Sequence, residues 1–118
     1  MEGHRDPVVW KRAMQFVTDV YRVTSTVPRE ELYGLTNQLR GAAVSVPSNI
    51  AEGCGRSSKK EFHQLLCHAR GSLLEVKTQL EIAQNLGFLS DKSARELLSR
   101  TSEIGRMLNG LRSWCEAA

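Results

Sequence analysis

Apolar residues recur at alternating steps of three and four along almost the whole chain, and that spacing constrains the fold more than any other feature. The first series is Trp10, Ala13, Val17, Val20, Thr24 and Val27, and the second is Leu32, Leu35, Leu39, Ala42, Val46 and then Asn49 or Ile50. The third runs Phe62, Leu66, Ala69, Leu73, Val76, Leu80 and Ala83, and the fourth Ala94, Leu97, Thr101, Ile104, Leu108, Leu111 and Cys115. Alternating three and four averages about 3.5, the coiled-coil repeat, so each segment keeps one seam toward its neighbours. No segment alternates with period two over the length of a strand. The spacing predicts an all-α chain.

Punctuation divides the chain consistently with these seams. Pro7 suits the first helical position and Pro28 a stop, while Glu30 and Glu31 suit the positive end of the next helix. Ser58 followed by Glu61 reads as a capping box, Gly87 as a C′ glycine, and Ser90 with Asp91 as a further cap. Helices are expected at about 7–26, 30–53, 58–86 and 90–115, all within one domain spanning residues 1–118. Short connections favour an antiparallel, up-down-up-down four-helix bundle. Helices of about 18 to 28 residues would be roughly 27 to 42 Å long, giving a slim bundle.

Apolar residues also spill past the seams: Met14, Tyr21, Ala43, Val44, Ile50, Leu65, Leu74, Ile82, Leu86 and Leu98. Two readings remain open, a wide monomer core or a second face buried between subunits.

The stretch "RGAAVSVPSNIAEGCGRSS", residues 40–58, interrupts the pattern with a proline, small side chains and two glycines. Pro47 removes a backbone donor, yet the seam stays in phase across it, so one kinked helix is expected rather than two. Gly53 and Gly55 are expected to supply positive φ for a sharp exit. Asn49 and Glu52 are polar near the seam and are expected to satisfy backbone freed by Pro47 or to fix register. The segment lacks a Walker spacing and a preceding strand. Gly55, Arg56, Ser57 and Ser58 could hold an anion at a helix N-terminus, although a plain glycine turn explains them as well.

These residues carry a family likeness. "VPREELYGLTNQLRGAAVSVPSNIAEGCGRSSKKEF", then "ARGSLLEVKTQLEIAQNLGFL", with "VWKRAMQFVTDVYRVT" ahead of them, resembles the four-helix-bundle proteins encoded in intervening sequences of bacterial 23S ribosomal RNA genes. The likeness spans Val9 to about Leu111. It implies ring-shaped homopentamers without established enzymatic activity. A more distant relative of that fold, the accessory protein of diversity-generating retroelements, presents a basic surface to nucleic acid and to a reverse transcriptase. The motif positions include Pro47, Asn49, Glu52, Gly53 and Gly55. Gly41 departs from the pattern, where the family often carries a second basic residue after Arg40.

Chemistry leaves little else. Cys54, Cys67 and Cys115 are odd in number and show no CxxC pair, which argues against a disulfide framework. His63 and Cys67 lie one helical turn apart, but His68 points elsewhere, short of the three or four ligands zinc needs. No Ser/His/Asp order or paired-carboxylate spacing stands out, so neither an enzyme nor a cofactor is expected. Aromatic residues are only 6% of the chain, and Trp10, Phe62 and Trp114 are expected to be core or interface anchors rather than base-stacking platforms. No apolar run approaches the roughly 20 residues that span a bilayer. "MEGHRDPVVW" lacks a signal peptide's apolar core, so a cytoplasmic location is expected.

Net charge is +3 from 16 basic and 13 acidic residues, which permits a nucleic-acid partner without requiring one. Arg40, Arg56, Lys59 and Lys60 are expected around the second turn, with Arg70 and Lys77 further along. A ring of copies would repeat such a patch and strengthen its field. The leading expectation is a non-enzymatic homo-oligomer, a pentamer by resemblance, that binds structured RNA, rRNA or DNA through Arg40, Arg56, Lys59 and Lys60. The alternative is a scaffold that docks a protein such as a polymerase.

Overall fold

The computed structural model describes residues 7–117, so the reading of the first six residues as lacking a leader lies outside it. Four helices form: α1 (Val8–Thr24), α2 (Asn37–Cys54), α3 (Lys59–Asn85) and α4 (Asp91–Glu116). Among the described residues there is no strand.

α1 is shorter than expected at both ends. Pro7 stands outside it as the N-cap residue, with φ −58° and ψ 142°. The helix stops at Thr24, well before Pro28, in a run of hydroxyl residues. Thr24 Oγ1 donates to the Val20 carbonyl at 2.7 Å, Ser25 Oγ to Arg22 at 2.7 Å and Thr26 Oγ1 to Val23 at 2.9 Å. These bonds give the backbone at the helix end local side-chain donors, an alternative to continued helix.

The second helix also starts later than expected. Arg29–Glu31 make a 3₁₀ turn and Leu32–Thr36 a π-helical turn, in which Gly34 leaves helical geometry at φ −108°, ψ −109°. Regular helix begins only at Asn37 and then runs unbroken through Pro47, which is buried. Asn49 Nδ2 donates to the Ser45 carbonyl at 2.8 Å and to Ser45 Oγ at 3.0 Å. The carbonyl that Pro47 leaves without its usual donor belongs to Ala43, so Asn49 does not repair that gap; it braces the next turn instead.

Neither Gly53 nor Gly55 supplies positive φ. Gly87 is the only positive-φ glycine among the described residues, at φ 75°. Gly55 ends α2 with φ −83°, and its N–H reaches the Glu52 carbonyl at 3.1 Å. Gly53 matters for contact: a Cβ there would lie 2.7 Å from Phe62 Cδ1 and 3.3 Å from Leu65 Cβ. The missing side chain lets α2 and α3 close on each other beside their turn.

The remaining end signals cap their helices, Ser58 through its own hydroxyl. Ser58 Oγ accepts from the Glu61 amide at 3.1 Å, and Ser90 Oγ from the Ser93 amide at 3.1 Å. At the end of α3, Phe88 N–H bonds the Ala83 carbonyl at 2.9 Å and Gly87 N–H bonds Gln84 at 3.0 Å. That pair of bonds around a left-handed glycine is a Schellman motif.

Contacts between helices set their directions. Gln38 of α2 meets Gln79 of α3, Ser45 meets Ser72, and Gly53 meets Phe62, so numbers rise on one helix as they fall on the other. Gly105 of α4 faces Leu73 of α3, and Glu116 faces His63. Arg12 and Asp19 of α1 pair with Glu103 and Arg100 of α4. All three helix pairs are therefore antiparallel. The result is a rod of 47 × 23 × 22 Å.

The core follows the expected seams on α2, α3 and α4, where Leu39, Val46, Leu66, Val76, Leu80, Ile104 and Leu108 are almost wholly enclosed. α1 is rotated relative to the expectation. Val9 and Phe16 are buried, whereas Trp10 and Val17 only pack against the core's edge. Of the spill-over residues, Ala43 and Ile50 belong to this core. Met14, Tyr21, Val44, Leu74, Ile82 and Leu86 stay exposed on a single chain.

Candidate functional site

The basic residues expected at the α2–α3 turn do not form one patch. Arg40 lies in the first turns of α2, sixteen positions and therefore roughly 24 Å of helix from Arg56. Its Nε donates to Thr24 Oγ1 at 2.9 Å, Nη2 to the Tyr21 carbonyl at 3.3 Å, and its guanidinium lies 4.6 Å from the Tyr21 ring centre. Arg40 thus closes the C-terminal end of α1, where a cation suits the helix dipole.

At the turn itself, Arg56 Nη2 bonds Glu52 Oε1 at 2.6 Å. This pairing explains Glu52 and gives the Gly55–Ser58 segment its own carboxylate, which disfavours an anion cradle. Lys59 Nζ sits 4.2 Å over the Trp114 ring. Lys60 is exposed and has no ion-pair partner among the described residues. One of the four expected contact residues is left with its charge wholly uncommitted.

The same end of the bundle holds the aromatic and thiol groups. Phe62 and Trp114 meet edge to face, with centroids 6.5 Å apart, and join the start of α3 to the end of α4. His63 Nε2 lies 2.8 Å from Glu116 Oε1, and Nδ1 lies 3.7 Å from Cys67 Sγ. His63 stands between these two groups, and among the described residues no three potential ligands converge as a metal site. Burial raises the Cys115 thiol pKa above its ordinary 9.0, with Lys59 opposing the rise and Glu116 adding to it.

Two grooves run along α4, one on each side, and their charges differ. On the α1 side, a groove of about 520 Å³ contains Arg12, Arg22 and Arg100, together with Asp19 and Glu103. Arg12 pairs with Glu103, Arg100 with Asp19, and Arg22 reaches Asp19 at 3.1 Å. On the α3 side, a groove of about 300 Å³ is lined by Arg70, Lys77 and Arg106 over a floor of Leu73 and Leu74, and among the described residues no acidic side chain lines it. All three cations are exposed, and none has an ion-pair partner among the described residues.

Arg70 and Lys77 were visible as basic positions on the third helix. Arg106 was not singled out, because nothing in one sequence shows which α4 residue faces them. The Gly105–Leu73 contact sets that register and places Arg106 opposite the interval between Arg70 and Lys77. Gly105 leaves the groove open at that level.

A small all-helical bundle with one ion-paired groove and one uncompensated basic groove is the class of protein these features define. The chain belongs to the 23S rRNA-intervening sequence protein family, whose model matches residues 5–110. Among solved structures, a protein of unknown function from the S23 ribosomal protein family of Bacteroides thetaiotaomicron is similar in fold, with a TM-score of 0.83 and 18% identity. The match covers 89% of this chain and 98% of that one. No curated protein matches the chain. Among the described residues, no helix is long and apolar enough to cross a membrane.

Proposed function

We propose that this chain is a non-enzymatic, self-associating four-helix bundle that binds nucleic acid through uncompensated positive charge on α3 and α4. The observation that carries this reading is the unequal use of acids. Asp19 and Glu103 pair with all three arginines between α1 and α4, Asp19 being shared by Arg22 and Arg100, while Arg70, Lys77 and Arg106 have no ion-pair partner among the described residues. Unpaired surface cations release counterions when they meet phosphates, which is the dominant source of sequence-independent affinity. Lys60 adds to the same helix, whereas Arg40, Arg56 and Lys59 are committed to internal contacts.

Self-association multiplies the effect, since each added copy brings the same groove. The exposed Met14, Tyr21 and Val44 give apolar surface for it. By family likeness the assembly is a pentamer. Fluorescence anisotropy with a labelled ribosomal RNA hairpin tests the binding, and light scattering on the same sample tests assembly. Retention at low salt that disappears at high salt is expected, with a mass above one chain. A single-chain mass would remove self-association, and no binding at low salt would remove the nucleic-acid role.

One observation favours a second reading, a scaffold docking a protein. Tyr33 is 88% exposed in the α1–α2 connection, and Ile82 and Leu86 are exposed where α3 ends. The Gln38–Gln79 contact places both segments at the same end of the bundle. Recovery of one stoichiometric protein partner after nuclease treatment, lost on Tyr33→Ala, would support this reading.

A further inference from the structure

We propose that the α3–α4 groove seats the phosphate backbone of a double-helical nucleic acid and does not read its bases. The proposal rests on the nucleic-acid reading above and adds where the ligand lies, which form it takes and what is recognised.

Geometry comes first. Arg70 and Lys77 are seven positions apart on α3, roughly 10.5 Å along its axis. Arg106 faces the interval between them from α4, so the three charges form a triangle across the groove. A backbone running between the helices meets a cation on alternate walls. Ser102 and Asn109 line the α4 wall above and below Arg106. Asn109 Oδ1 accepts from Arg112 Nη1 at 3.0 Å, which leaves its Nδ2 as a donor toward a phosphate or sugar oxygen. Without a side chain at Gly105, the groove floor stays low between these groups.

The choice of ligand follows from what the groove lacks. Proteins that hold single strands pair a basic track with aromatic faces on which bases stack. No aromatic side chain lines this groove. Guanidinium and ammonium groups over an aliphatic floor suit a ligand whose bases are already stacked and whose phosphates face outward. Such contacts position a duplex without specifying its sequence. A small phosphorylated metabolite fits less well, because the cations are spread along an open groove rather than converging on one point.

The test uses the full chain with a short blunt duplex RNA, the matching duplex DNA, and a single strand of the same length. Two groove variants are compared, the triple substitution Arg70→Ala, Lys77→Ala, Arg106→Ala and the single substitution Ser102→Glu. The latter introduces a carboxylate at an exposed position without removing a cation. A double substitution at the turn, Arg56→Ala with Lys59→Ala, serves as the control, and circular dichroism verifies that each variant is helical. The triple variant is expected to weaken duplex binding by about tenfold or more and to flatten the log–log salt dependence by roughly 0.9 per lost contact. Ser102→Glu is expected to weaken duplex binding in the same direction, and the turn variant to change it less than the triple variant does. Duplex binding that survives both groove variants but is lost in the turn variant overturns this site and leaves the nucleic-acid reading intact. Tighter binding of the single strand than of the duplex overturns the ligand form. If the wild type binds none of the three probes, the reading beneath the proposal fails, whether or not a protein partner is found.

Discussion

Phe16, Gly53 and Arg40 show how much individual positions carry. Phe16 is wholly enclosed, and Phe16→Ala should cost about 3–5 kcal/mol in chemical denaturation. Trp10→Ala should cost less, since Trp10 only flanks the core. The sequence pattern placed Trp10 and Val17 on the seam because both flanks share Ala13, Val20 and Thr24 and both obey three-four spacing. Only the neighbouring helices choose between them. Gly53 was legible as an important glycine but for the wrong reason. Its φ is unremarkable, and Phe62 occupies the space a side chain would need. Gly53→Ala should cost about 1–3 kcal/mol as an overpacked contact, read as a lower denaturation midpoint. Arg40 looked like a phosphate contact and proves to be tied to Tyr21 and Thr24. Arg40→Ala should therefore lower stability by about 1–2 kcal/mol, judged from the hydrogen bonds lost, and leave the salt dependence of RNA binding unchanged.

Helices and their ends were more legible than single residues. Local chemistry decides where a helix stops, and local chemistry is written in adjacent residues. Ser58, Ser90 and Gly87 all act where capping rules place them. Gly87→Ala should cost about 1–2 kcal/mol, because it forces a Cβ into left-handed geometry, and thermal unfolding would register it. The exceptions have local causes too. Hydroxyls at Thr24, Ser25 and Thr26 end α1 before Pro28 can, and the 29–36 segment takes 3₁₀ and π turns in place of regular helix. Pairing between elements was less legible. The register that aligns Arg106 with Arg70 and Lys77 depends on two helices meeting at Gly105, which no local pattern encodes.

Across the whole molecule, the important quantity is how charge is partitioned. A net +3 looks modest, yet it hides a groove whose arginines are all ion-paired beside one whose cations are not. Pairs such as Arg12–Glu103 join α1 to α4, and at their exposure each contributes on the order of 0–1 kcal/mol. Cations on the other side of α4 contribute little to the fold and are available to a ligand. The family and the bundle were readable from long sequence motifs, while the basic groove was only half readable, through Arg70 and Lys77. Salt titration of duplex RNA binding, run in parallel on Arg12→Ala/Arg100→Ala and on Lys77→Ala/Arg106→Ala, tests this partition most directly. The first pair should lower the melting temperature and keep the wild-type salt slope; the second should keep the melting temperature and flatten the slope by roughly 2 for each groove engaged. Equal slopes in all three proteins, or a loss of slope confined to the first pair, would contradict the account.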